Sequence, residues 1–171
     1  MEAEELPEWV VRLILDAERG TAIAQSILGG LYHSGKDVPQ DSVEAAKWYR
    51  LAAEQGHAEA QRMLGVMYHN GDGVPQDYAE AAKWIRIAAE QGDASAQYNL
   101  GLMHGSGAPQ DYAEAARWCV RAELGFIADT QSELSWARRE GFTETETAKI
   151  RIYREQQQEQ ARECIDAAVR P

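Results

Sequence analysis

His57–Gly92 reads HAEAQRMLGVMYHNGDGVPQDYAEAAKWIRIAAEQG, and the window before it, Thr21–Gly56, repeats that text without a gap at most positions. Beyond Gly92 the text resumes as DASAQYNLGLM over residues 93–103. It then loses two residues in its turn and returns with PQDYAEAA letter for letter at 109–116. A unit of this length cannot bury its apolar face alone, so neighbouring copies must stack. The expected fold is all-α, a solenoid of antiparallel helix pairs.

Each unit splits into two helices. In the central copy helix A is expected over about Ala58–His69, with Ala60, Leu64, Met67 and Tyr68 at the 3-and-4 spacing of a buried stripe. Gly65 lies inside that helix, as Gly29 and Gly101 lie in theirs. An interior Gly costs about 1 kcal/mol relative to Ala, so its recurrence calls for close approach by a neighbouring helix. The aromatic of helix B (Trp48, Trp84 or Trp118) is the expected body there. The turn Asn70–Gln76 redirects the chain. Asp77 is placed to cap helix B, and Glu80 to return a bond to the cap amide. The same Asp-x-x-Glu recurs at Asp41/Glu44 and Asp111/Glu114. Helix B should present Ala81, Trp84, Ile85 and Ala88 to the core, pair Glu80 with Lys83 on the outside, and stop at Gly92. In the first copy Lys36-Asp37 stands for Asp72-Gly73, and Asp37 is expected to hold the left-handed backbone. The third turn, His104–Ala108, is two residues shorter.

Outside the full copies the register persists. Glu8–Arg19, closed by Gly20, reads as the second half of a repeat kept as a cap. From Trp118 onward the text decays, yet Phe126, Gln131, Leu134 and Gly141 fall where Gly92, Gln61, Leu64 and Gly71 would. Ala128–Arg139 is therefore expected as a fourth, divergent helix A. Thr143 and Glu146 form another capping box, opening a long final helix to about Val169. On it Ile150, Tyr153, Ala161, Cys164 and Ala168 share a face, whereas Arg154–Gln160 has no apolar residue. Its first half is expected to cover the last repeat and the remainder to project or fray. The expectation is one repeat domain, 1–171, of about nine helices. Its parts are an N-terminal capping helix (1–20), repeats at 21–56, 57–92 and 93–126, a divergent half repeat (127–142) and a long C-terminal capping helix (143–171).

At A-x-A-Q-x-x-L-G-x-M-Y, G-x-G-V-P-Q-D-Y and E-A-A-K-W-x-x-x-A-A-E-Q-G the chain resembles the Sel-one-like repeat family, a relative of the tetratricopeptide repeats. The resemblance covers roughly residues 10–141. It implies a right-handed superhelix acting as an adaptor for protein complexes, often in bacterial signalling or envelope processes. That family shares no catalytic residue set, so the resemblance carries none over.

Charge and chemistry narrow the function. Lys and Arg number 17 against 28 Asp and Glu, a formal charge of −11. That argues against nucleic acid, whose phosphates are held by clustered cations. No apolar run reaches transmembrane length, so no membrane partner is expected. The N-terminus has acids where a signal peptide needs Lys or Arg, which leaves the compartment open with the cytoplasm as default. Cys119 and Cys164 read as two buried thiols, with a bridge as the alternative. His33 and His69 are repeat-equivalent, with His104 beside the third such place, and read as turn-side polar residues. Equivalent positions lie one unit apart, on the order of 10 Å, so no shared metal is expected; His57 reads as surface. Asp41, Asp77 and Asp111 read as caps and the tryptophans as core. No catalytic motif, metal site or cofactor is expected.

What differs between copies points to the partner. Positions 26/62/98 read Ser, Arg, Tyr, and 30/66/102 read Gly, Val, Leu; both series lie on helix A, off the core stripe. The partner-binding strip is therefore expected at Arg62, Val66, Asn70, Tyr98 and Leu102 on the concave face, with Ser34/Asn70 extending it at the turn. Its occupant would be a peptide or helix of another protein, with a segment carrying Lys or Arg best matched to the acidic chain. The protein itself is expected as a monomer or weak dimer. The alternative is a weak hydrolase or small-molecule binder using the same pocket.

Overall fold

The computed structural model describes residues 6–106, 112–140 and 142–169. The short third turn, the Asp111/Glu114 cap, the His104 side chain and Gly141 lie outside what is described. Among the described residues there are eight α-helices and no strand: α1 Glu8–Glu18, α2 Ala22–Ser34, α3 Ser42–Glu54, α4 Ala58–Asn70, α5 Tyr78–Glu90, α6 Ala94–Ser106, α7 Tyr112–Arg139 and α8 Glu144–Val169. They fall into two compact units, Met1–Ala88 and Ala89–Pro171.

In the first unit, the expected stripes form the core. Ala60, Leu64 and Met67 of α4 meet Ala45, Ala46, Tyr49, Ala52 and Ala53 of α3, with Tyr68 and Trp84 half-buried against them. Ala17, Ala24 and Leu28 make a second cluster that Trp48 covers. A feature not anticipated from the sequence joins the repeats. The amide of Gln25 donates to Ala17 O and that of Gln61 to Ala53 O, each at 3.0 Å and buried. Gln97 does the same to Ala89 O in the second unit. Each helix A thus adds a second, buried donor to a carbonyl in the last turn of the preceding helix B, one that already accepts the amide of Gly20, Gly56 or Gly92.

The interior glycines mark close helix approach, but not to the tryptophans. A Cβ on Gly29 would lie 2.9 Å from the Tyr49 ring, and one on Gly65 would lie 2.6 Å from Ile85 Cγ1 and 3.1 Å from Ala81 O. The body in the gap is the residue after the tryptophan. One helical step turns the side chain by about 100°, which aims Tyr49 and Ile85 at helix A and leaves Trp48 and Trp84 on the flank.

The turns follow the left-handed pattern read in the sequence: Gly35, Gly71 and Gly73 have φ of 70°, 74° and 68°, and Asp37 takes φ 62° where Gly73 stands one repeat later. Gly73 also abuts the backbone of Ser42, so a Cβ there would overlap its carbonyl.

The caps form by half. Asp41 Oδ1 accepts from the amides of Val43 and Glu44, and Asp77 Oδ1 from those of Ala79 and Glu80. Glu44 and Glu80 return nothing, because the cap amides already donate to Tyr32 O and Tyr68 O in helix A. The two glutamates pair instead with Lys47 and Lys83. The reciprocal box closes at α8, where the Thr143 amide donates to Glu146 Oε2 (2.8 Å) and the Glu146 amide to Thr143 Oγ1 (3.4 Å).

The second unit departs from expectation in three ways. First, the fourth helix A is not separate: α7 runs unbroken from Tyr112 to Arg139, which gives eight helices rather than about nine. Gly20, Gly56 and Gly92 end earlier helices with positive φ; Phe126 takes that place here, and a bulky residue resists the left-handed backbone that would stop the helix. Second, α8 neither projects nor frays distally. Ala161 and Cys164 are buried, while Ile152 and Tyr153 in the first half are exposed. Its polar middle is held by ion pairs and hydrogen bonds, Arg154 to Glu133 and Gln158 to Thr130, rather than by apolar contact. Third, Cys119 and Cys164 are joined in a disulfide, Cα–Cα 5.9 Å. They lie in unrelated sequence contexts, and only the antiparallel pairing of α7 with α8 brings them together.

Candidate partner-binding surface

The strip expected from the sequence divides between the two units. Arg62, Val66 and Asn70 lie on α4 in the first, and Tyr98 and Leu102 lie on α6 in the second.

In the first unit Arg62 and Val66 are half-buried and Asn70 is exposed. Asn70 Oδ1 lies 3.0 Å from His69 Nδ1, and the His69 ring stands edge-on to Tyr78 at 5.3 Å. One repeat earlier, His33 Nε2 lies 3.0 Å from Asp72 Oδ2, joining two successive turns. These histidines are turn-side polar residues, as read from their positions.

Two residues that variation between copies did not single out add exposed apolar surface on helix A of the first repeat. Ile23 and Ile27 of α2 are 62% and 47% exposed. They share a face with Gly30 and Ser34 by helical spacing, whereas Ser26 is buried. The legible signal was two isoleucines, four apart and off the core stripe, at positions where the next copy has Glu59 and Met63. Between α2 and α4 lies the Tyr49 hydroxyl: a Cβ on Gly30 would sit 3.4 Å from it. Burial pushes that phenol up to about 12, the charge of Glu59 pushes the same way, and Arg62 opposes both. Gly30, Tyr49, Glu59 and Arg62 therefore converge on one surface built from α2, α3 and α4.

In the second unit Tyr98 is half-buried and packs on Ala94, Ala122, Phe126 and Ala161. Its hydroxyl is held above the ordinary phenol range by burial and then by Glu163 of α8. The final helix thus covers this part of the strip. Leu102 is 43% exposed. Among the described residues no group of three or more His, Cys, Asp or Glu is placed to hold a metal ion, and no helix is long and apolar enough to cross a membrane.

Comparison with known proteins agrees with the helix pairs. The family model for the Sel1 repeat matches residues 22–57, 58–93 and 94–123. Among solved structures, the chain is similar to a protective antigen present in uropathogenic Escherichia coli strains that displays an SLR fold. Identity is 35% and the TM-score 0.65, over 93% of this chain and 32% of that one. This chain thus spans about a third of that relative's length. It is also similar to a Sel1 repeat protein from Oxalobacter formigenes, with 34% identity and a TM-score of 0.62, over 69% of this chain and 90% of that one. No curated protein matches the sequence. Sel1 repeat proteins are generally scaffolds that bind other proteins, and the fold is typically non-enzymatic. With three repeats matched over residues 22–123, and 34% identity to a solved repeat protein over 69% of its own length, the chain belongs to the Sel1 repeat family.

Proposed function

We propose that the protein is an adaptor whose helix A faces hold a peptide or helical segment of another protein. The observation that carries this reading is the exposed apolar flank of α2, Ile23 and Ile27, beside a surface where Gly30 leaves the Tyr49 hydroxyl close to Arg62 and Glu59. Isolated exposed apolar residues need no explanation, but a set bordered by convergent polar groups fits a recognition surface. Arg62, Val66 and Asn70 of α4 are the proposed contacts in the first unit, with Ile23 and Ile27 added; in the second unit Leu102 of α6 is exposed, whereas Tyr98 lies under α8. Arg is among the side chains most often dominant at such surfaces. The formal charge of −11 favours a partner segment bearing Lys or Arg, whose association weakens as salt rises.

A photo-crosslinking residue at position 66 tests this, with the same residue at position 86, on the outer side of helix B, as control. Position 66 should capture a protein that position 86 does not. The captured protein should then bind Ile27→Ser/Arg62→Ala at least about tenfold more weakly than the unaltered chain, a loss of roughly 1.4 kcal/mol. Equal capture at both positions, or equal affinity, would move the site elsewhere.

A further inference from the structure

We propose that α8 is a redox-latched cover: the Cys119–Cys164 bond holds its distal half over an apolar seam of α6 and α7, and reduction releases it. The seam consists of Ala94, Tyr98, Ala122 and Phe126, and Ala161 of α8 closes it. Ala122 is the repeat equivalent of Ala88 and Ala52. In the first repeat Ala52 and Ala53 pack with Ala60, from helix A of the following unit. On α7, the segment that would have supplied the next helix A continues the same helix instead. The distal half of α8, antiparallel to α7, stands in its place.

Besides the bond, this cover is held by polar ties and small apolar side chains. Along α8 only small side chains, Ala161 and Cys164, are buried among the described residues, and residues 154–160 offer no apolar group. Its polar ties include Arg154 with Glu133 and Asp129, Gln158 with Thr130 at 3.2 Å and Arg162 with Glu123 at 2.6 Å. The Arg154 pair is two-pronged and part-buried and lies in the middle of the helix, whereas distally the exposed Arg162 pair holds weakly, and a segment with few buried apolar side chains opens locally at low cost. The disulfide, closing a separation of 45 residues, is what keeps an opened helix from leaving.

Release follows ordinary exchange with a dithiol. On local opening, one thiolate of the dithiol attacks a cystine sulfur, forming a mixed disulfide and freeing the other cysteine. The second thiolate of the dithiol then displaces the remaining cysteine, leaving two protein thiols and one oxidised dithiol. Two electrons and two protons pass to the protein. The cover is therefore shut in oxidising compartments and free where thiols are kept reduced.

The test is amide hydrogen exchange on the full chain, oxidised and in dithiothreitol, with Cys164→Ser as a third sample. Thiol labelling of the denatured, unreduced chain should find no free cysteine. Reduction and Cys164→Ser should each speed exchange over residues 158–168 by about tenfold or more, while α2–α4 and the body of α6 and α7 stay protected. Arg162→Ala, with the bond intact, should stay within about twofold of the oxidised chain. Two labelled thiols in the unreduced chain, or unchanged protection of α8 after reduction, would overturn the proposal. So would loss of protection throughout α6 and α7, which would make the bond a staple for the whole unit. None of these outcomes depends on a partner bound by the first unit.

Discussion

At Gly65 the energetic argument comes down to one missing methyl group. A Cβ at this position meets Ile85 Cγ1 at 2.6 Å, and behind it backbone atoms of Ala81 and Ile85 at 3.1 and 3.2 Å. The Ile85 side chain can shift; helix B backbone cannot. Gly65→Leu should destabilise the chain by about 1–3 kcal/mol, the usual cost of overpacking, despite the better helix propensity of Leu. Gly65→Ala should cost less, because the nearest obstruction is a side-chain carbon that can move. Urea unfolding of both variants checks this; a Gly65→Leu midpoint equal to that of the unaltered chain would remove the close-packing account. The recurrence of Gly29, Gly65 and Gly101 made a contact legible in the sequence. Its partner was not: Trp and the residue after it are adjacent in the chain, and only the rotation of helix B against helix A decides which one enters the gap.

For the helices, the caps separate local from tertiary control. Asp77→Ala removes an acceptor for two amides and should cost about 1 kcal/mol. Glu80→Ala should cost a few tenths at most, since Glu80 makes only an exposed pair with Lys83. Equal losses in thermal unfolding would mean that Glu80 closes the box in solution. The spacing Asp-x-x-Glu is the same in every copy, and what prevents the return bond is tertiary: the cap amide is already used by a carbonyl of helix A. Acid should loosen the α7–α8 hairpin. Hydrogen bonding from Arg154 holds the Glu133 carboxyl below the ordinary range, and bonds from the Thr143 hydroxyl and amide do the same for Glu146. A depressed folded-state value means the stabilisation is full above the unfolded carboxylate value, near 4.3. It is lost as pH falls through the lower folded values. Hairpin stability should therefore be flat from pH 7 to about 5 and fall below about 4. Glu133→Gln should remove part of that fall. A profile unchanged by Glu133→Gln would show that the Arg154 pair contributes nothing.

Across the whole molecule, function rests on which surfaces the packing leaves open. Ile23→Ser/Ile27→Ser should weaken the partner captured through position 66 yet leave the melting temperature within about a degree, because both side chains are largely exposed already. Tyr98→Ala should lower the stability of the second unit instead, since that ring packs against α7 and α8. A Tyr98→Ala chain that melts unchanged would contradict the cover over α6. Of the proposed strip, Arg62, Val66 and Leu102 could be placed on helix A from periodicity alone; that α8 lies over Tyr98 could not. The sequence by itself determined the repeat length, the helix pairs, the left-handed turn positions and the aspartate half of the helix B caps, because each follows from interactions within a few residues or from a pattern copied between repeats. Tertiary structure alone decided the running-on of α7 past Phe126, the seating of a polar final helix and the pairing of Cys119 with Cys164. Those depend on side chains far apart in the chain meeting across helices, at places where no repeat supplies a template.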